Sequence, residues 1–302
     1  MGKQLSAFSN DLAAAVEHAA TAIVSINARH HVYSSGIIWR ADVVVTAEHA
    51  AKRDEGIYVT LPDGRTAPAV LAGRDTGTDL AVLRLEGAGL QPAEFGDASQ
   101  LKSGHVAIAL ARTPEGGLRT SVGAISATGP AWRTWRGGQI EQLVRLDVML
   151  YPGFSGGALV DSEGRIVGMN TSALARFLGT AVPVITINRV VDELLRKGRI
   201  ARGFLGVGMH PVRLPEGLRT SLQLSNEGGV LVLGAQPEGP AAQAGMLIGD
   251  ILVALNGTPV NDTDDVHAFL GPEQVGKKIH ASLIRGGASK EIEITVGERP
   301  WK

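Results

Sequence analysis

The sequence predicts a mostly β protein: two small antiparallel barrels or sandwiches, then a separate C-terminal module. Three observations predict it. Glycine supplies 39 of the 302 residues, nearly twice the usual share of about 7%, which fits many tight turns. Short Val/Ile/Leu-rich runs recur between those turns, in two sets of about six. A helical stretch and a short basic linker then set the C-terminal region apart.

Residues 9–20 carry Leu12, Ala15, Val16 and Ala19 at helical spacing, with Ser9 or Asn10 as the cap. The first strand set is 21–28, 33–39, 42–47, 57–61, 66–72 and 80–85. Pro62-Asp63-Gly64 makes a turn within it, because proline pre-sets one φ and glycine takes a positive one. The second set is 106–111, 119–127, 140–146, 157–160, 166–170 and 181–184. Residues 188–197 read as a helix with Val190, Val191, Leu194 and Leu195 on one face, Asn188 as cap and Gly198 as stop. Arg199–Gly203 is the linker, and 204–298 is long enough for one independent domain.

Composition excludes several functions. The net charge of −1, with 20% charged residues, gives no argument for nucleic acid or an anionic membrane as the main partner. Without cysteine there is no disulfide, thiolate nucleophile or Cys-zinc site. No apolar run reaches 18 residues, and Met1–Asp11 lacks the apolar core of a signal peptide. As written the chain is expected in the cytoplasm; removal of a leader would make it extracytoplasmic. The adjacent His30 and His31 lack the spaced partners of a metal site, so neither metal nor cofactor is expected.

Three stretches carry chemistry: Thr46-Ala47-Glu48-His49-Ala50, Thr78-Asp79-Leu80-Ala81-Val82-Leu83 and Gly153-Phe154-Ser155-Gly156-Gly157. A serine hydroxyl needs a neutral imidazole to take its proton, and the imidazole needs an acid to hold its tautomer. The developing oxyanion needs backbone N–H groups, which flanking glycines let the loop turn inward. Ser155 is the expected nucleophile, His49 the base and Asp79 its orienting acid. The Gly153 and Ser155 amides are the expected oxyanion hole. Each stretch alone is weak, but their order, with gaps of 30 and 76 residues, is that of the chymotrypsin-like template.

Together with Ser35-Gly36-Ile37-Ile38, Asp63-Gly64-Arg65, Gly73-Arg74-Asp75, Gly123-Ala124-Ile125-Ser126-Ala127 and Gly164-Arg165-Ile166-Val167-Gly168-Met169-Asn170, these motifs resemble the HtrA/Deg family. That family is a trypsin-like serine protease followed by a PDZ domain. The resemblance implies two six-stranded antiparallel β-barrels with the triad between them. It divides the chain into an N-terminal helical segment (1–20), a protease domain (21–198), a linker (199–203) and a PDZ domain (204–298). It also prefers Asp79 to its rival Asp75, because the family's acid directly precedes the Leu-Ala-Val-Leu strand. A homotrimer or higher oligomer is implied, with Phe8 in its contacts.

Departures from the family pattern are Phe154 and Tyr151, where asparagines are usual, and Glu48 beside the base. Phe154 and Tyr151 either pack as core and rim or hold the oxyanion loop in an inactive shape. Trp132, Arg133, Trp135 and Arg136 lie in the segment that corresponds to the family's sensor loop, where a partner surface and a loop packed on the barrel are equal readings. The primary specificity pocket is expected around Leu150, Met169, Asn170, Thr171 and Ala181. Its stretches hold no carboxylate, so a small or medium aliphatic P1 residue is expected.

In the C-terminal module, Gly203-Phe204-Leu205-Gly206-Val207 resembles a PDZ carboxylate-binding loop, and 264–270 its groove helix. Phe204, Leu205, Gly206, Val207, Val266 and Leu270 are the expected peptide-binding residues. The whole reads as an ATP-independent serine endopeptidase of protein quality control, acting on unfolded or misfolded polypeptides, with peptide C-termini at the PDZ groove. The alternative is a latent or inactive protease-fold chaperone or scaffold acting through PDZ binding.

Overall fold

The computed structural model describes residues 2–28, 33–87, 89–174 and 179–300; His30 and His31 lie outside them. The chain divides into two compact units, Met1–Ile200 and Ala201–Lys302.

Helix α1 (Gly2–Ala20) opens the first unit. It starts well before the predicted cap: Ser9 and Asn10 lie inside it and cannot serve as caps, which need extended backbone. The physical reason is that Leu5 and Phe8 continue the spacing of Leu12, Ala15 and Ala19 towards the N-terminus. Ala15 and Ala19 are buried, while Leu5 and Phe8 remain exposed.

Six strands follow: β1 (Ile23–Asn27), β2 (Ser34–Arg40), β3 (Val43–Ala47), β4 (Ile57–Thr60), β5 (Thr66–Asp75) and β6 (Leu80–Arg84). They close into an antiparallel barrel in the order β1-β2-β3-β6-β5-β4. In the β3–β6 register, Thr46 faces Ala81 and Ala47 faces Leu80. A residue just after β3 is therefore brought beside one just before β6.

The second barrel contains β7 (Val106–Arg112), β8 (Leu118–Gly129), β11 (Leu143–Asp147), β12 (Ala158–Val160), β13 (Ile166–Thr171) and β14 (Gly179–Pro183), closed in the order β11-β14-β13-β12-β7-β8. Between β8 and β11 stands a hairpin of β9 (Trp132–Arg133) and β10 (Gln139–Ile140). The single strand predicted over 140–146 is thus split, its first residue pairing in the hairpin. Arg112 of β7 is buried and donates to the carbonyls of Ile23, Ala20 and Gly116, tying this barrel to α1 and β1. Burial pushes its guanidinium below the ordinary arginine value.

Helix α2 (Val184–Lys197) starts earlier than predicted, with Pro183 as cap residue. Asn188 is inside it, and accepts a hydrogen bond from Trp39 Nε1 at 2.9 Å instead of capping. Gly198 ends the helix in the left-handed region (φ +72°), a conformation glycine adopts without a Cβ penalty. The buried face of α2 (Val190, Val191, Leu194) joins a core that also takes in Ile26, Val44 and Leu83 of the first barrel.

The second unit contains β15 (Gly203–Phe204), β16 (Val207–Arg213), α3 (Glu216–Ser221), β17 (Gly228–Ala235), α4 (Pro240–Gln243), β18 (Ile251–Leu255), β19 (Thr258–Pro259), α5 (Thr263–Phe269), β20 (Lys278–Arg285), β21 (Ala288–Thr295) and β22 (Gly297–Glu298). Its main sheet runs β16-β17-β18-β20-β21, with β19 on β18 and β22 pairing with β15. Asp262 caps α5 by accepting from the Asp264 and Asp265 N–H groups.

Candidate active site

His49 sits on the short 3₁₀ turn Glu48–Ala50 directly after β3, and Asp79 directly before β6. The strand register therefore brings them together. Asp79 is fully buried at φ +58°, a conformation that aspartate tolerates better than most residues. Its carboxylate accepts from the His49 backbone N–H at 2.9 Å and stands 2.8 and 3.0 Å from His49 Nδ1. A carboxylate is an acceptor, so Nδ1 carries a proton, and in the neutral imidazole this leaves the lone pair on Nε2. The Asp79 carbonyl in turn accepts from the Glu48 N–H at 3.0 Å. Asp75, the rival acid, accepts from the Gly77 N–H and from the N–H and hydroxyl of Thr78, organising the turn into Asp79.

Ser155 comes from a loop of the second barrel whose conformation is set by its neighbours. Phe154 N–H donates to Tyr151 O at 3.0 Å across Pro152 and Gly153. Gly153 has φ +94°. Proline second, and a positive φ third, is the pattern of a type II turn. Farther along, Gly156 N–H donates to Asn170 O at 2.9 Å, and Gly157 N–H to Phe154 O at 3.0 Å. The Gly153 and Ser155 N–H groups, by contrast, donate to no acceptor among the described residues. Two amides spaced like this can serve a developing oxyanion.

Ser35 on β2 fastens this loop to the first barrel. Its hydroxyl donates to Gly153 O at 2.8 Å and accepts from Arg112 N–H at 2.9 Å. Its backbone N–H donates to Ser155 O at 3.2 Å. At Gly156 (φ +86°) a Cβ would lie 2.1 Å from the Ser35 carbonyl oxygen, so only glycine fits.

Phe154 is 1% exposed and packs with Ala109, Ala111, Val148 and Leu150. Tyr151 is exposed, its ring 6.0 Å from that of Phe154. Of the two sequence readings, the geometry matches core for Phe154 and rim for Tyr151. Glu48 is buried, yet its charge faces cations: Lys52 Nζ donates to Oε1 at 2.8 Å, and Arg136 Nη1 lies 3.9 Å from Oε2. Arg136 also stacks on Trp135, 4.5 Å from its ring centroid, and Trp135 is 65% exposed. Thr134 donates to Gly77 O at 2.7 Å, so the β9–β10 hairpin rests on the turn before Asp79.

Among the residues expected to line a specificity pocket, Met169, Asn170, Thr171 and Ala181 are buried. The Thr171 side chain is engaged elsewhere, its hydroxyl donating to Asp79 Oδ2 at 2.5 Å. Asn170 Nδ2 donates to Ala158 O at 2.6 Å. Leu150 packs against Gly179 and the Phe154 cluster. Sequence reasoning missed the roles of Ser35, which it met only within a motif, and of Thr171. The available signals were a polar Ser34-Ser35 pair opening an otherwise apolar strand and a threonine two residues past the apolar run 166–169.

Ser155 Oγ and His49 are not hydrogen-bonded among the described residues. Among those residues Ser155 Oγ pairs with Ser172 Oγ, 3.3 Å away. Such bonds are often long or misaligned before substrate arrives.

In the second unit, β16 is an edge strand of the main sheet. Gly206 precedes it with φ +76°. Leu205 and Val266 are buried in that unit's core with Leu270, whereas Phe204 and Val207 are half-buried. An open strand edge behind a glycine turn suits a peptide that adds a strand.

A trypsin-like peptidase domain model matches residues 34–169, and a PDZ domain model matches residues 203–296. A serine protease Do-like HtrA of Lactobacillus helveticus is 31% identical over 291 residues, covering 89% of this chain and 70% of that protein. A probable periplasmic serine endoprotease DegP-like of Pseudomonas putida is 31% identical over 272 residues, covering 88% of this chain; the chain spans only 56% of its length. Among solved structures, the HtrA-type protease AlgW with a decapeptide superposes with a TM-score of 0.76 at 29% identity, covering 96% of this chain and 99% of that one.

Proposed function

Because the chain belongs to the HtrA/DegP family of serine proteases, with a trypsin-like peptidase domain and a PDZ domain, we propose that it is an endopeptidase working through Ser155, His49 and Asp79. Its substrates in this reading are unfolded or misfolded polypeptides, its PDZ groove takes peptide C-termini, and it assembles as a homotrimer or higher oligomer.

The observation that carries the reading is the pairing of His49 Nδ1 with a buried carboxylate, 2.8 Å away, beside two amides with no acceptor among the described residues. In the proposed mechanism His49 Nε2 takes the Ser155 proton as Oγ bonds to the peptide carbonyl carbon. The Gly153 and Ser155 amides hold the carbonyl oxygen as it gains negative charge. His49 gives the proton to the leaving amine as the C–N bond breaks. Water, deprotonated by the same nitrogen, then frees the acyl group and restores Ser155. Asp79 keeps the imidazole in one tautomer throughout. With no carboxylate among 149–154, 168–171 and 180–183, a small or medium aliphatic P1 side chain fits best.

A second reading, a latent protease-fold scaffold, draws on one observation: among the described residues the Ser155 hydroxyl is hydrogen-bonded to Ser172 and not to His49. Casein cleavage separates the two. The proposal expects cleavage by the intact chain and its loss in Ser155→Ala and His49→Ala, each still folded. Cleavage at the intact chain's rate in either variant would remove that residue from the mechanism. No cleavage by any chain, with or without a C-terminal peptide, would favour the scaffold.

A further inference from the structure

Strand β13 ends in Thr171, and Ser172 follows it; these two hydroxyl residues reach opposite ends of the candidate constellation. Thr171 Oγ1 donates to Asp79 Oδ2 at 2.5 Å and accepts from the Ala173 N–H at 3.0 Å. Those two bonds fix the backbone on both sides of Ser172. Ser172 itself is exposed, and its Oγ stands 3.3 Å from Ser155 Oγ.

A serine hydroxyl has one proton to donate. While Ser155 donates it to Ser172, it is unavailable to His49 Nε2, and general-base catalysis requires that second bond. With Ser172 as the donor, one of the two Ser155 lone pairs is engaged and the proton stays free for His49. The competition with the base therefore arises in the polarity in which Ser155 donates.

We propose that Ser172 is a positioning residue that competes with His49 for the Ser155 hydroxyl and thereby lowers the reactivity of the nucleophile. The inference rests on Ser155 being the nucleophile. Ser172 touches no reacting atom of the peptide in this role; it acts through Ser155. The bond is longer than the usual hydroxyl–hydroxyl distance of about 2.7–2.8 Å. It therefore belongs at the weak end of hydrogen bonds, and its removal is expected to change the rate only about two- to fivefold.

The test compares the intact chain with Ser172→Ala and Ser172→Thr, using a fluorophosphonate. In that reaction Ser155 Oγ bonds to phosphorus, the P–F bond breaks, fluoride leaves and the proton passes to His49. Ser172→Ala should label about two- to fivefold faster and raise kcat on a peptide substrate with KM unchanged. Ser172→Thr, which keeps the hydroxyl, should match the intact chain. Labelling of Ser172→Ala at or below the intact rate overturns the proposal, as does an equal acceleration in Ser172→Thr. Labelling of Ser172→Ala where the intact chain is silent supports it strongly. Silence in all three chains removes Ser155 as nucleophile, and this role with it.

Discussion

Phe154→Ala distinguishes a packing anchor from a device that holds the oxyanion loop shut. Phe154 is 1% exposed, and two of its neighbours, Ala109 and Ala111, are too small to fill the space it would leave. Removing a buried phenylalanine costs about 3–5 kcal/mol. Val148 and Leu150 are only partly buried and can relax inward, which favours the lower value of about 3 kcal/mol. For a unit of this size each kcal/mol moves Tm by about 2–4 °C, so a fall of about 6–12 °C is expected. Tryptophan fluorescence reports mainly on the correct unit, since three of the four tryptophans, Trp39, Trp132 and Trp135, lie before residue 201, and a Trp301→Phe background removes the fourth. Loosening Phe154 also frees the turn that aims the Gly153 amide, so fluorophosphonate labelling should slow by about ten- to a hundredfold. An unchanged Tm together with faster labelling would refute the reasoning and show that Phe154 restrains the loop.

Asp79→Asn would present an amide to His49 Nδ1 and favour the wrong tautomer, so casein cleavage should fall by about 10⁴; a rate near that of the intact chain would exclude Asp79 as the orienting acid. In the second unit, Asp250 accepts from Arg285 Nε and Nη2, both at 2.7 Å, and from the Leu247 N–H at 2.8 Å. The Arg285 bonds hold its carboxyl below the usual carboxylate value against the opposing effect of burial. A lowered folded-state value means the stabilisation is fully present above about pH 4 and is lost as pH falls below it. Hydrogen exchange of the β18 and β20 amides in the full chain, corrected for intrinsic rates, should show that loss, and Asp250→Asn should flatten it. An unaltered acid response in Asp250→Asn would place the sensitivity elsewhere.

Much of the candidate site was legible because its parts lie in local motifs. His49 and Asp79 sit at the ends of short apolar strands, and the glycines around Ser155 mark a loop that a Cβ would obstruct. What stayed hidden depends on contacts between residues remote in sequence. Ser35 reaches Gly153 across 118 positions and Thr171 reaches Asp79 across 92. A buried serine or threonine leaves no periodic signal. Phe154 was ambiguous for a related reason: sequence shows an aromatic residue beside glycines, but only packing shows that Ala109 and Ala111 make room for it. The helix boundaries failed locally. Asn188 and Ser9 have the chemistry of caps, yet Val184 and Leu5 continue the apolar spacing past them, and the helices followed the apolar spacing.

The central claim is that Ser155 is activated by His49 and Asp79. Identification of the residue modified by a fluorophosphonate, by mass spectrometry of the digested full chain, tests it most directly. The account predicts one adduct, on the peptide containing Ser155, lost in Ser155→Ala and in His49→Ala. An adduct on another residue, or undiminished modification of Ser155 in His49→Ala, would contradict it.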